Sequence, residues 1–137
     1  MKRVIFDSNI WVSFAIGKRL NELKIALLHP KIEVFVCRRL LWEVKVVIQK
    51  PKLLKYISQD RRKMLLELMQ ACHCVDIIEK ISMSRDPNDD YLLDLAVTVD
   101  ADFLVTGDQD LLILRNHQNS NIISFTSFMA VLDSLDL

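Results

Sequence analysis

Short apolar runs alternate along the chain with longer segments in which apolar residues recur every three or four positions. Runs of this kind are typical of buried strands, and the longer segments of amphipathic helices. The alternation predicts an α/β fold with a parallel sheet. The predicted strands are 3–6, 33–37, 73–77, 103–106 and 121–124. The predicted helices are 9–15, 19–28, 39–49, 58–71, 88–99, 109–115 and 126–135, with Ser58 and Thr126 as N-caps.

The length and composition favour one domain spanning residues 1–137. A chain of 137 residues that is 51% hydrophobic can bury roughly 70% of its unfolded surface in one core. No run of 18 uncharged apolar residues is present, and Met1 leads directly into a strand-like segment without a secretory leader. We therefore expect no membrane association and a cytoplasmic location.

The three cysteines fit a reducing compartment. Cys37, Cys72 and Cys74 are odd in number and lie in apolar stretches, so we expect them to be buried and reduced. Cys72 and Cys74 flank a histidine, but no second ligand pair follows at zinc-finger spacing. Zinc binding is therefore not expected there.

The formal net charge is zero, but the charges are unevenly distributed. Residues 1–63 hold 15 Lys and Arg against 5 Asp and Glu, a net charge of +10, and residues 64–137 hold 3 against 13, a net charge of −10. The cations could attract phosphates or simply lie on solvated helix faces. The candidate phosphate contacts come from the densest basic part of the chain and are Lys45, Lys52, Arg61, Arg62 and Lys63.

Motifs of several other catalytic classes are missing. The chain has only two glycines, Gly17 and Gly107. It therefore contains neither a dinucleotide-binding fingerprint nor a phosphate-binding loop, since both motifs need several glycines. Ser8 follows a strand but lacks the glycine-flanked elbow of a hydrolase. Nucleotide-cofactor chemistry and a serine triad are therefore disfavoured.

An acidic residue follows two of the predicted strands. Asp7 comes directly after the first, and Asp108 comes shortly after the fourth. In open α/β sheets the functional crevice lies beyond the carboxyl ends of the strands, where these residues would meet. Each acid alone could equally be a helix N-cap.

Glu43 lies within a mostly apolar helical segment. Its neighbours at helical spacing include Leu40, Val46 and Val47, so it is predicted to share a buried stripe. A carboxylate there is costly unless it is paired or binds a cation. Lys45 cannot face it on a helix, so we expect no local ion pair.

The helix predicted at 88–99 begins among several acids. Asp89 shares the core-facing stripe with Leu92, which favours it as a site acid. Asp90 is the alternative, since it is adjacent in the chain, but it lies with Asp94 on a neighbouring stripe that is turned toward the rim. We expect Asp94 to be solvated and Asp86 to cap the helix.

Such a group of acids favours a metal site. Three or four carboxylates gathered within about 5 Å repel one another, and a divalent cation is the ordinary way to keep them all ionised. Oxygen ligands favour Mg²⁺ or Mn²⁺. Because such an ion activates water and stabilises charge on phosphate, the sequence predicts phosphodiester hydrolysis.

With these residues in place, the chain resembles the PIN-domain ribonucleases, and most closely the PIN-family toxin components of toxin–antitoxin systems. The resemblance spans essentially the whole chain. Four segments carry it in order: Asp7-Ser8-Asn9, Leu41-Trp42-Glu43-Val44, Asp86-Pro87-Asn88-Asp89-Asp90 and Val105-Thr106-Gly107-Asp108-Gln109-Asp110.

The resemblance implies a three-layer α/β/α domain with a central parallel five-stranded sheet and metal-dependent cleavage of single-stranded RNA. The implied catalytic and metal-binding acids are Asp7, Glu43, Asp89 and Asp108. Supporting positions are Asn9, Thr106, Asp90 and Asp110. It also implies a homodimer that a small antitoxin silences by filling the acidic groove, and the basic residues named above then become RNA contacts.

Two other classes of function compete with a nuclease. A phosphoacceptor signalling domain also has an Asp at a strand end, but it needs an acidic pair near the first strand and a Lys after the last, which this chain lacks. A catalytically idle interaction module could keep the fold, but it would have little reason to keep Glu43 in an apolar stripe.

Overall fold

A computed structural model of the protein describes residues 1–17, 19–77 and 87–136, and it describes only the backbone of residues 87–90. The strands are β1 (Lys2–Phe6), β2 (Ile32–Val36), β3 (His73–Cys74), β4 (Phe103–Val105), β5 (Asn116–His117) and β6 (Ser120–Ile123). The helices are α1 (Ser8–Ile16), α2 (Leu20–Leu28), α3 (Arg38–Ile48), α4 (Pro51–Leu54), α5 (Gln59–Gln70), α6 (Pro87–Val99), α7 (Gln109–Leu112) and α8 (Phe125–Leu135).

The strands form one sheet in the order β3-β2-β1-β4-β6-β5. The first five in this order are parallel, and β5 adds a two-residue antiparallel edge to β6. The three-layer α/β/α fold with its five parallel strands is therefore confirmed. The additional strand β5 was not predicted because two residues carry no periodic signal.

The central strand β1 is covered on both faces. Val4, Ile5 and Phe6 are each fully buried, although successive side chains of a strand point to opposite faces. Such burial requires helices on both sides of the sheet. On one side, Phe6 makes edge-to-face ring contacts with Trp11 and Phe14 of α1 and with residues of α8. On the other, α6 packs against β1 and β4.

Local details differ from the sequence-based expectations at several ends. The strand predicted at 73–77 contains only His73 and Cys74, and the helix predicted at 109–115 ends at Leu112. Ser58 caps its helix as predicted, but Thr126 does not, because Ser124, two residues earlier, accepts the hydrogen bond of the Ser127 N–H as the N-cap of α8. None of the helices in the described part of the chain is long and apolar enough to cross a membrane.

All three cysteines are free, but they differ in exposure. Cys37 is buried and Cys72 half-buried, as expected, whereas Cys74 is exposed, and the expectation of burial is wrong there. The reason is the short edge strand β3, which leaves this side chain uncovered. Burial raises the pKa of Cys72 to about 12 and also raises that of Cys37, so both thiols stay protonated near neutral pH.

Candidate functional site

The strand order reverses at β1. The chain passes from β1 to β2 and β3 on one side and returns to β4 on the other. A reversal of this kind opens a crevice at the carboxyl ends of the two strands. Asp7 directly follows β1 and Thr106 directly follows β4, and the Asp7 N–H donates to the Val105 carbonyl at 2.9 Å. The predicted convergence of strand ends is thus present where β1 and β4 end, and we call these adjoining carboxyl ends the β1/β4 edge.

A buried hydroxyl links two of the predicted acids. Asp7 is only 3% exposed, and its Oδ2 accepts a 2.6 Å hydrogen bond from Thr106 Oγ1. The same Thr106 oxygen accepts from the Asp108 N–H at 3.0 Å. Thr106 is itself fully buried. It therefore fixes the Asp7 carboxylate relative to the backbone of Asp108.

Both acids also cap helices. Asp7 Oδ1 accepts from the Asn9 N–H at the start of α1 and from the Ser8 hydroxyl, and Asp108 Oδ1 accepts from the Asp110 N–H at the start of α7. The capping alternative is therefore present at both acids, and their role as site acids stays a prediction. The side chains of Asn9 and Asp110 are exposed, so these two residues support the acids through their backbone N–H groups.

Glu43 is held by two partners. Tyr91 donates its hydroxyl to Glu43 Oε2 at 2.6 Å, and Arg39 Nε lies 3.5 Å from Oε1. The expectation of no local ion pair is wrong, because Arg39 stands four residues before Glu43 and shares its side of the helix. A buried stripe through Val46 is wrong too, since that residue is 42% exposed. The stripe follows Val44 instead, and Glu43 is half-buried beside it.

Tyr91 holds Glu43 from helix α6. Its side chain is buried, and the Arg39 guanidinium lies 4.5 Å from its ring centre. Burial raises the pKa of Tyr91, and the hydrogen bond and charge of Glu43 raise it further, followed by the charges of Cys37 and Asp7. Tyr91 therefore remains a protonated donor in neutral solution.

The acids at the start of α6 are described only in part. The backbone of Asp89 and Asp90 belongs to α6, but their side chains are outside the described part of the structure. Asp86 lies outside it altogether. Leu92 is buried on the stripe predicted for Asp89. Asp94 is 8% exposed, so its predicted solvation is wrong: the helix is covered more widely than a single stripe.

The chemistry of the described site acids suits a hard divalent cation. Asp7, Glu43 and Asp108 offer oxygen atoms, the donors that Mg²⁺ and Mn²⁺ prefer. Within the described ranges, no three His, Cys, Asp or Glu side chains form a group that could hold a metal ion. The predicted quartet therefore depends on Asp89, which those ranges do not cover beyond its backbone.

The predicted RNA contacts lie on three successive helices. Lys45 of α3, Lys52 of α4 and Lys63 of α5 are exposed. Arg61 and Arg62 are half-buried, and Arg62 Nη1 donates to the Ile57 carbonyl at 2.8 Å. Arg62 thus also holds the turn before α5, a structural role that its sequence position does not reveal.

Sequence reasoning missed two residues of the site, Arg39 and Tyr91. Arg39 carried a usable signal, since an i, i+4 pair with Glu43 can be read from the spacing. Tyr91 carried none, because its contact with Glu43 spans 48 positions in the chain.

Fold and site together define an α/β protein with two acids, Asp7 and Asp108, at the switch point of its sheet. A family model described as PIN domain matches residues 3–110, and the chain belongs to this family. No curated protein matches it significantly.

Two solved structures are similar in fold. A chain in the crystal structure of VapBC2 from Rickettsia felis, bound to a DNA fragment from their promoter, matches with a TM-score of 0.59 at 15% identity, covering 88% of this chain and 96% of that one. The PIN domain of RRP44 from T. brucei matches with a TM-score of 0.48 at 18% identity, covering 98% and 83%.

Proposed function

We propose that this protein is a metal-dependent endoribonuclease that hydrolyses phosphodiester bonds of single-stranded RNA as the toxin of a toxin–antitoxin pair. The observation that carries the proposal is the pair Asp7 and Asp108, joined through Thr106 at the β1/β4 edge. PIN domains are generally nucleases. Membership in that family and acids at the crevice of the sheet therefore support the same conclusion.

In this proposal Asp7, Glu43, Asp89 and Asp108 hold Mg²⁺ or Mn²⁺. When bound, such an ion lowers the pKa of a water ligand and stabilises charge on the attacked phosphate. The rest of the chain positions these acids. Thr106 fixes Asp7, while Arg39 and Tyr91 fix the two oxygens of Glu43.

Metal dependence is the first test of the nuclease. We expect a 5′-labelled single-stranded RNA to be cut when Mn²⁺ or Mg²⁺ is present, to stay intact in excess EDTA, and to be cut again after Mn²⁺ is restored, because the acids alone repel phosphate. Cleavage is followed on gels. A single-stranded DNA of the same sequence is the control, and it measures the preference for RNA over DNA. Equal cleavage with and without EDTA would contradict the metal role. Intact RNA under every condition would favour the idle interaction module.

The proposed partners are a second copy of the chain and an antitoxin. The resemblance to PIN-family toxins supports both, and the Rickettsia felis chain of similar fold occurs in a VapBC2 complex. An antitoxin segment that carries Arg or Lys would complement the acids at the β1/β4 edge. Arg39 already neutralises part of the Glu43 charge. The antitoxin cation would therefore be attracted more strongly to Asp7 and Asp108.

The basic helices are proposed to hold the RNA backbone. We expect R61Q/K63Q to weaken RNA binding and to flatten the plot of log K against log salt by roughly 0.7 for each lost phosphate contact. Arg62 is kept, because its bond to the Ile57 carbonyl supports the fold. K2Q is the matched control, since Lys2 is exposed at the opposite end of β1. A salt slope equal to that of the unmodified protein would assign Arg61 and Lys63 to plain solvated surface.

A further inference from the structure

Helix α3 exposes an aromatic residue among cations. Trp42 is 64% exposed, although tryptophan side chains are on average highly buried. Arg38 and Lys45 stand one helical turn before and after it, and both are exposed. Val46, also exposed, extends the apolar part of this surface. We name Arg38, Trp42, Lys45 and Val46 the α3 stripe.

The α3 stripe begins at the edge of the sheet that carries the acids. Helix α3 starts at Arg38, two residues after β2 ends at Val36, and β2 is parallel to β1. Trp42 directly precedes Glu43, and Arg39 of the same helix contacts both Glu43 and Tyr91. The stripe therefore lies on the same helix as Glu43, beside it in the chain.

The charge of the α3 stripe suits a polyanion. Glu43 is the only acid in α3, and its two oxygens are already engaged by Arg39 and Tyr91. The cations Arg38 and Lys45 are thus free of a competing carboxylate on their own helix. An aromatic face flanked by cations is the arrangement with which proteins bind single-stranded nucleic acid, because bases stack on the ring and phosphates contact the charges.

We infer that Trp42 is a base-stacking subsite for single-stranded RNA, with Arg38 and Lys45 contacting the phosphates on either side. The inference rests on the proposed ribonuclease function and extends it to the residue that holds the substrate beside the acids. Trp42 binds the RNA by stacking on a base and positions it, and the acids carry out the bond cleavage.

Fluorescence tests the stacking directly. Trp11, the second tryptophan, is fully buried, so quenching by a uridine hexamer in EDTA reports on Trp42. We expect quenching by the hexamer and none by a ribose-phosphate chain of equal length that lacks bases. Binding by the variants is followed by the anisotropy of a fluorescein-labelled hexamer. W42L should weaken hexamer binding about 5- to 150-fold, whereas W42F, which keeps an aromatic face, should bind nearly as the parent does. Absent quenching, or equal binding by W42L, overturns the inference.

Cleavage kinetics separate this inference from the proposed function. With Mn²⁺ present, W42L should raise KM for short RNA and leave kcat unchanged, because the acids stay in place. If no variant and no parent protein cuts RNA but the quenching persists, the nuclease proposal fails and the subsite stands. If W42L cuts RNA with the parent's KM, the subsite fails and the nuclease stands. If W42L instead alters the sedimentation of the protein while RNA binding is unchanged, the α3 stripe is a protein interface, which also overturns the inference.

Discussion

Asp7→Asn should lower the rate of RNA cleavage by at least about 100-fold while the protein stays folded. The change removes one negative charge from the β1/β4 edge and keeps a side chain of the same shape. Asparagine caps helices as well as aspartate does, so α1 keeps its N-cap. One hydrogen bond, to either Thr106 or the Ser8 and Asn9 donors, is lost to the new NH₂ group, which costs about 1 kcal/mol. Single-turnover cleavage and thermal unfolding measure the two effects separately.

The control for this variant makes the same change elsewhere. Asp100 is exposed between α6 and β4, at the opposite edge of the sheet. Its φ of 52° is one that asparagine tolerates well. Asp100→Asn should therefore cleave RNA at the parent's rate. A folded Asp7→Asn protein with parental activity would remove Asp7 from the catalytic acids and with it the main support for the proposed function.

Thr106→Val should damage both stability and activity. It deletes the hydroxyl that donates to Asp7 and accepts from the Asp108 N–H, at a fully buried position. Leaving these groups unsatisfied should cost about 1–3 kcal/mol in the free energy of unfolding. Because both acids then lose their common anchor, we expect cleavage to fall about 10- to 100-fold. Urea unfolding gives the first quantity, and single-turnover cleavage well below the unfolding midpoint gives the second.

Thr106→Ser distinguishes the hydroxyl from simple packing. Serine keeps the hydrogen-bonding oxygen and removes only the methyl group. We expect it to retain most of the activity, although the lost methyl lowers stability. If serine proves as inactive as valine, the shape of the side chain matters and the proposed anchoring by its hydroxyl is wrong.

Much of the architecture could be predicted because it follows from repeating patterns. The strands around Val4 and Leu104 are short apolar runs that end at polar residues, and parallel pairing then brings their carboxyl ends together. Asp7 and Asp108 were accessible from sequence for that reason. The structure shows their capping role, while their site role stays a prediction.

The unpredicted parts depend on contacts between distant segments. Tyr91 meets Glu43 across 48 positions, and no local period encodes such a contact. Cys74 is exposed because β3 contains only two residues. The apolar composition of 73–77 had predicted a longer strand that would bury it. Asp94 is buried because neighbouring elements cover more of α6 than its own apolar stripe requires. Each difference is a case of tertiary packing overriding a local pattern.

In the proposed function Asp7 and Asp108 serve the site, and in the structure each also caps a helix. Each carboxylate closes the first turn of a helix, so a truncation to alanine removes a cap, worth typically about 1 kcal/mol, together with the charge. Glu43 stands in the middle of α3, where no cap depends on it. Truncating Glu43 would nevertheless leave the buried Tyr91 hydroxyl without its acceptor, which costs about 1–3 kcal/mol. At all three acids, therefore, the loss of a carboxylate and the proteolytic clearance of a less stable protein arrive together.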